Sequence, residues 1–371
     1  MSGSSKPSMT RATSLFLDVL RLAAALVVFF AHTTNYWNPA MMGPMQVWAH
    51  DAVIVFFVLS GYVIAHTTRD GARDARQYTV ARLSRLYSVV APALVLTCFL
   101  WLAGRGLEAE FYAGYERAYP WVRFAASSVF LNEVWMLELS PPTNTPFWSL
   151  GYEAWYYLFF GVALYVKSKR ARWGWLIVGA LLAGPNVLML LPVWLVGVAA
   201  YNWRDRGSLL RGWAMSGLVG AVAATWAVLR YLPDWPGTAG EHPWYFAGAA
   251  VSDLIGGLGW AAIIWFFNRA FVGVNVITVV YRPVRWLAGH TFSLYLYHAP
   301  LVILASAMFP PFTVKGAEWV PIMVILIVVY IMGAVTESQR HRWEALFGWI
   351  WDRLIKRGSS ISQPVDQPLT G

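Results

Sequence analysis

Arg21 and His32 stand at the two ends of RLAAALVVFFAH, a run with no other charged or titratable residue. They lie 11 positions apart, which is about 1100° at roughly 100° per residue, some 20° past three full helical turns. Both side chains therefore project from one face of a helix, about 16 Å apart along its axis. That is too far for contact, but it suits two depths of one channel. A guanidinium within hydrocarbon is costly and faces a cavity or a partner. Asp18, three residues before Arg21, can supply that partner. An imidazole titrates near neutrality and can serve as a general base; it can equally be a hydrogen-bonded packing residue.

Three further stretches place polar chemistry among apolar residues. In RLSRLY (82–87) Arg82 and Arg85 are three apart on one helix face. Two guanidiniums there can grip a diphosphate bidentately, or can merely anchor a helix end. In FWSLGYEAWYYLFF (147–160) Glu153 is the only charge. A carboxylate so placed needs a partner. It can orient a histidine as the third member of a triad does, or sit at a helix start favoured by the dipole. In GHTFSLYLYHAPL (289–301) His298 is enclosed by apolar residues. It is either a second functional histidine or a buried one bonded to a backbone carbonyl.

Other residues carry less. FFVLSGYVIAH (56–66) reads as small-residue helix packing around Ser60–Gly61, without chemistry. His50 and Asp51 are adjacent and point about 100° apart on a helix. The His66–Asp70 spacing is one residue short of an H-x4-D motif. Neither pair has metal-ligand spacing. Cys98 is the single cysteine, so the chain forms no internal disulfide and no cysteine-based metal site. No metal is expected.

The elements that must position these groups are membrane helices. Hydrophobic residues make up 58% of the 371 and charged residues 13%, about half the usual soluble share of roughly 25%. The 22 tryptophans suit membrane–water interfaces. The net charge of +9 does not mark a nucleic-acid partner, because the basic residues lie between apolar runs and not on one soluble face. Apolar runs of roughly the 20 residues a span needs are expected at about 13–33, 48–67, 86–104, 147–166, 173–185, 187–202, 212–231, 248–268, 289–309 and 319–338. Gly184 and Pro185 divide the fifth from the sixth as a tight hairpin.

Ten spans put loops alternately on two sides. One side receives nearly all the Lys and Arg; the other holds only Arg105, Arg117, Arg123, Arg230 and Lys315. By the positive-inside rule both termini are cytoplasmic, and His32 lies toward the outside. The expected organisation is a cytoplasmic segment 1–12, a ten-helix transmembrane domain 13–338 with an outer loop at about 105–146, and a cytoplasmic tail 339–371. The tail is Ser/Pro/Gln-rich and disordered after Arg357. The first helix is no cleaved signal, since Arg21 interrupts it and no small-x-small site follows.

The stretches LDVLRLAAALVVFFAH (17–32), VFFVLSGYVIA (55–65), ARLSRLY (81–87), PFWSLGYEAWYYLFF (146–160) and FSLYLYHAPL (292–301), in this order, resemble the membrane acyltransferase-3 family. The resemblance implies a ten-helix integral membrane O-acyltransferase of the bacterial inner membrane. Its donor is acyl-CoA, acetyl-CoA most commonly. Its acceptor is a hydroxyl of an exported or lipid-linked glycan, or sometimes a small molecule such as a macrolide. Glycan-biosynthesis or export proteins are the expected partners. On the family pattern His32 matches the essential histidine, Arg21 its partner arginine, Arg82 and Arg85 the RxxR pair, and Glu153 the glutamate of the WSLxxE segment. The resulting expectation is that Arg21, Arg82 and Arg85 hold acyl-CoA. His32 acts as base with Glu153 orienting it, and Asp18 and His298 are possible additions. Intramembrane charges also mark transporters, but no paired, broken halves are evident.

Overall fold

The structure is a computed structural model that describes residues 9–37, 39–69, 73–204, 209–274, 278–309 and 316–361. The expectations for residues 1–8, for Asp70, and for the tail beyond 361 lie outside the described residues.

The described chain is helical: α1 Arg11–Trp37, α2 Pro39–Thr68, α3 Ala75–Leu107, α4 Ala109–Ala113, α5 Pro120–Ser128, α6 Trp148–Tyr165, α7 Lys169–Asn202, α8 Arg211–Tyr231, α9 Ala250–Ala270, α10 Thr278–Gly289, α11 Thr291–Met308, α12 Trp319–Ser338 and α13 Arg340–Ile361. Among the described residues, eight helical segments are long and apolar enough to cross a membrane. The chain is a multi-pass membrane protein. The aromatic α6 falls short of that measure because Trp, Tyr and Glu153 dilute its 18 residues.

α3 begins at Ala75, eleven residues before the expected 86. Its N-cap Asp74 accepts from the Gln77 amide, and the Gln77 side chain returns the bond, a capping box that starts the helix ahead of its apolar stretch. At its 33 residues the helix is about 50 Å long, so it carries Arg82 and Arg85 well inside the bundle. α13 packs along it. Arg76 makes two 2.8 Å bonds to Asp352, and Trp343 and Phe347 lie against Tyr87. The helix runs to Ile361, past the point where disorder was expected.

α7 changes direction at Gly184, where φ is 79°, a left-handed conformation that favours glycine. Trp173 and Leu195, on either side of the break, line one cavity with Phe159 and Phe160. On a straight helix they would be about 33 Å apart, so the two arms fold back on each other as an antiparallel hairpin. The reversal is tied down from outside: the Trp135 amide donates to Ala183 O at 2.8 Å. The second arm lies against α2 at backbone distance. A Cβ on Gly61 would come within 2.1 Å of Trp194 O, and one on Gly197 within 2.0 Å of Val58 O.

The long loop between α3 and α6 carries the short α4 and α5 and closes over one end of the bundle. Asn144 pins it by donating to Thr97 Oγ1 (2.9 Å) and Leu296 O (3.0 Å). Arg123 clasps Glu138 and the carbonyls of Glu138 and Ser140. Glu133 is buried with Asn132 and Ser140 donating to it. Burial, helped by Glu138, pushes its carboxyl well above the ordinary range.

Candidate active site

α1 carries Asp18, Arg21 and His32 as one unbroken helix. Arg21 Nη1 lies 3.7 Å from Asp18 Oδ1, the i,i+3 pair the spacing allows. Arg21 also lines a cavity of about 560 Å³ with Ser60, Arg85 and Glu153. His32 lines a second cavity of about 610 Å³ with His50 and Trp148. Val53 and Tyr295 line both, so the guanidinium chamber and the histidine chamber adjoin. The rise of about 16 Å between them along α1 places its two polar groups in two neighbouring chambers and not in the single channel the spacing suggests.

His32 is held by another histidine. Its Nδ1 lies 2.8 Å from His298 Nε2, and His298 Nδ1 lies 2.9 Å from Leu294 O. A carbonyl only accepts, so His298 Nδ1 carries a proton and its Nε2 is the lone-pair nitrogen. His32 Nδ1–H then donates to that nitrogen, which leaves His32 Nε2 with the lone pair. A fully buried imidazole therefore sets the tautomer of a half-buried one. His298 combines both of its expected readings: it is bonded to a backbone carbonyl, and it is part of the site.

Glu153 is placed elsewhere than a triad requires. It accepts from Ser60 Oγ at 2.5 Å and from the Tyr157 hydroxyl, and it lines the guanidinium chamber. The group bonded to His32 is His298, so the expected orienting role of Glu153 is corrected. Ser60, read as packing alone, is a polar hub: it donates to Glu153 and accepts from Trp194 Nε1 at 3.1 Å.

The RxxR arginines face different cavities. Arg85 lines the guanidinium chamber. Arg82 lines a larger apolar cavity of about 1300 Å³ between α3 and α6. Its guanidinium lies 5.6 Å from the Tyr157 ring centre. Its Nη2 reaches Thr67 Oγ1 at 3.4 Å, and its Nε is buried without a hydrogen-bond partner. Three residues advance a helix by about 300°, leaving a 60° offset. That offset is enough for α6 to separate the pair, so a single two-fingered grip is not formed.

His50 has no partner in its neighbour Asp51, which points away on the helix. Its partner is Asp253 of α9, with Nε2 3.1 Å from each carboxylate oxygen. No short-range pattern could pair residues 203 positions apart. Among the described residues no group of three or more His, Cys, Asp or Glu is placed to hold a metal ion.

A polytopic helical bundle thus sets a histidine, hydrogen-bonded to a second histidine, beside a chamber lined by two half-buried arginines. Comparison with known proteins gives the family. The acyltransferase-domain family matches residues 14–336, and the chain belongs to that family, the membrane acyltransferase-3 family of the sequence resemblance. A curated relative, the O-acetyl transferase of Shigella phage Sf6, is 25% identical over 237 residues, covering 58% of this chain and 68% of the relative. No solved structure matches.

Proposed function

We propose that this acyltransferase moves an acyl group, acetyl in the simplest case, from acyl-CoA to a hydroxyl of an exported or lipid-linked carbohydrate. The observation that carries the reading is the Leu294–His298–His32 hydrogen-bond chain, with His32 lining a chamber that adjoins Arg21 and Arg85. The relative's name, O-acetyl transferase, supports the acetyl group.

In this reading Arg21 and Arg85 receive the anionic donor, with Arg82 behind them at the apolar cavity. Asp18 holds Arg21 in place. The donor's arm passes Val53 and Tyr295 to bring the thioester to His32. His32 Nε2 takes the proton of the acceptor hydroxyl as its oxygen attacks the thioester carbonyl. The tetrahedral centre then collapses, the C–S bond breaks, and the thiolate leaves and is protonated by the imidazolium. Glu153, with Ser60 and Tyr157, balances the charge of the guanidiniums.

The reading places the chain in a bacterial inner membrane with ten crossings and both termini cytoplasmic. The eight long segments, with α7 taken as two arms and α6 added, support that number, and the Lys/Arg alternation supports the orientation. The test is acetyl-CoA turnover by the purified protein in detergent, followed as free CoA. Mass spectrometry of surface glycans with and without the gene identifies the acceptor. CoA release that does not depend on His32 sinks the proposal.

A further inference from the structure

The His50–Asp253 pair joins α2 to α9 and has no part in the steps above. The Asp253 side chain is buried and that of His50 half-buried, 4% and 19% exposed. A buried ion pair is weak evidence for stability, since apolar residues of the same volume often serve as well. Nor is it needed to set the tautomer of His32, which His298 already does.

What distinguishes His50 is its position. It lines the histidine chamber beside His32, and it lines a further cavity of about 1040 Å³ with Asp51, Arg230, Asp234 and Asp253. Ala239 borders both as well. His50 therefore stands in the wall between the reaction chamber and a polar cavity. Its ring lies parallel to Trp148, 11° between planes and 6.0 Å between centroids. Trp148 is stacked face to face on Phe246 at 4.2 Å, and both line the histidine chamber.

We propose that His50, fixed by Asp253, is a positioning residue that hydrogen-bonds a saccharide acceptor and turns the attacking hydroxyl toward His32. This rests on the acyltransferase reading. The carboxylate only accepts, so His50 Nε2 carries a proton and Nδ1 is the ring atom that meets the ligand. A sugar ring offers two kinds of surface, flat C–H faces and a rim of hydroxyls. Phe246, backed on one face by the buried Trp148, provides apolar surface for the first. His50, the carboxylates of the neighbouring cavity and Arg230 provide acceptors and donors for the second. His50 transfers no proton in this scheme; the hydroxyl proton goes to His32.

The test uses the full chain in lipid nanodiscs, with acetyl-CoA as donor and the methyl glycosides of glucose, galactose and mannose as acceptor probes. His50→Ala raises the glycoside KM about tenfold, the worth of one good hydrogen bond, while the KM for acetyl-CoA stays in place. His50→Gln, which keeps a donor and an acceptor, recovers part of the loss, and Asp253→Asn raises the glycoside KM less than His50→Ala. Saturation-transfer NMR reads binding without turnover: the glycoside signal is lost in His50→Ala and kept in His32→Ala. An unchanged glycoside KM in His50→Ala, an effect confined to kcat or to acetyl-CoA, or a wild type that binds no glycoside overturns the assignment. A wild type that binds glycosides yet turns over no acetyl-CoA sinks the acyltransferase reading instead.

Discussion

The two adjoining chambers are made of opposite materials. One is ionic: Arg21, Arg85 and Glu153 line it, with Asp18 beside Arg21. The other is lined by imidazoles, His32 and His50, with His298 behind. A guanidinium keeps its proton at any physiological pH and can only hold an anion. An imidazole with a fixed tautomer can take a proton and return it. The contrast separates holding a charged donor from moving a proton, and it spaces the two along a single helix, α1. Among the described residues, Val53 and Tyr295 are the ones that border both chambers.

The largest expected effect tests that division directly. His32→Ala removes the base and lowers transfer by about 10²–10⁴-fold, measured as CoA release at saturating acetyl-CoA, while equilibrium binding of acetyl-CoA is retained. If donor binding falls with transfer, the chambers are not separate in function. His298→Ala comes next. It leaves His32 in place but frees its tautomer, and transfer drops roughly 10–100-fold, by analogy with the loss of a partner that orients a metal-bound histidine. His298→Gln, whose amide can still accept, stays closer to wild type. Arg85→Ala acts on the other side of the division. Removing a charge-assisted contact raises the dissociation constant for acetyl-CoA by about tenfold, with little change at saturating donor. A fall confined to kcat would assign Arg85 to the chemistry.

Much of this plan was legible in the sequence, and the limits have physical causes. Residues on one helix are related by a fixed rotation, so the placement of Arg21 and His32 and the Asp18–Arg21 pair followed from counting. The same arithmetic misled at Arg82 and Arg85, where a 60° offset coincides with a neighbouring helix and becomes a division between cavities. Partnerships between helices could not be counted at all. His32 with His298, and His50 with Asp253, are separated by 266 and 203 residues. Each residue was visible as polar in an apolar run, but not the group it would meet. Glu153 shows the error that results. A lone carboxylate and a lone histidine were joined because each lacked a partner, whereas Glu153 had two hydroxyls and His32 had a second imidazole.

The smallest effect sharpens the comparison at its structural root. Ser60 belongs to the close-packed α2–α7 contact beside Gly61, yet its hydroxyl donates to Glu153 and accepts from the buried Trp194 indole N–H. Ser60→Ala leaves Glu153 with Tyr157 and leaves the indole without an acceptor. The expected cost is about 1 kcal/mol, for one exchanged hydrogen bond, read by denaturation in detergent; Ser60→Thr, which keeps the hydroxyl, shows whether crowding against α7 or the lost bond is responsible. Because Glu153 lines the guanidinium chamber and not the histidine chamber, any functional change should appear as a few-fold shift in acetyl-CoA affinity and leave the pH dependence of transfer alone. A displaced pH profile in Ser60→Ala would mean that Glu153 communicates with His32 across Val53 and Tyr295, and that the two chambers titrate as one site.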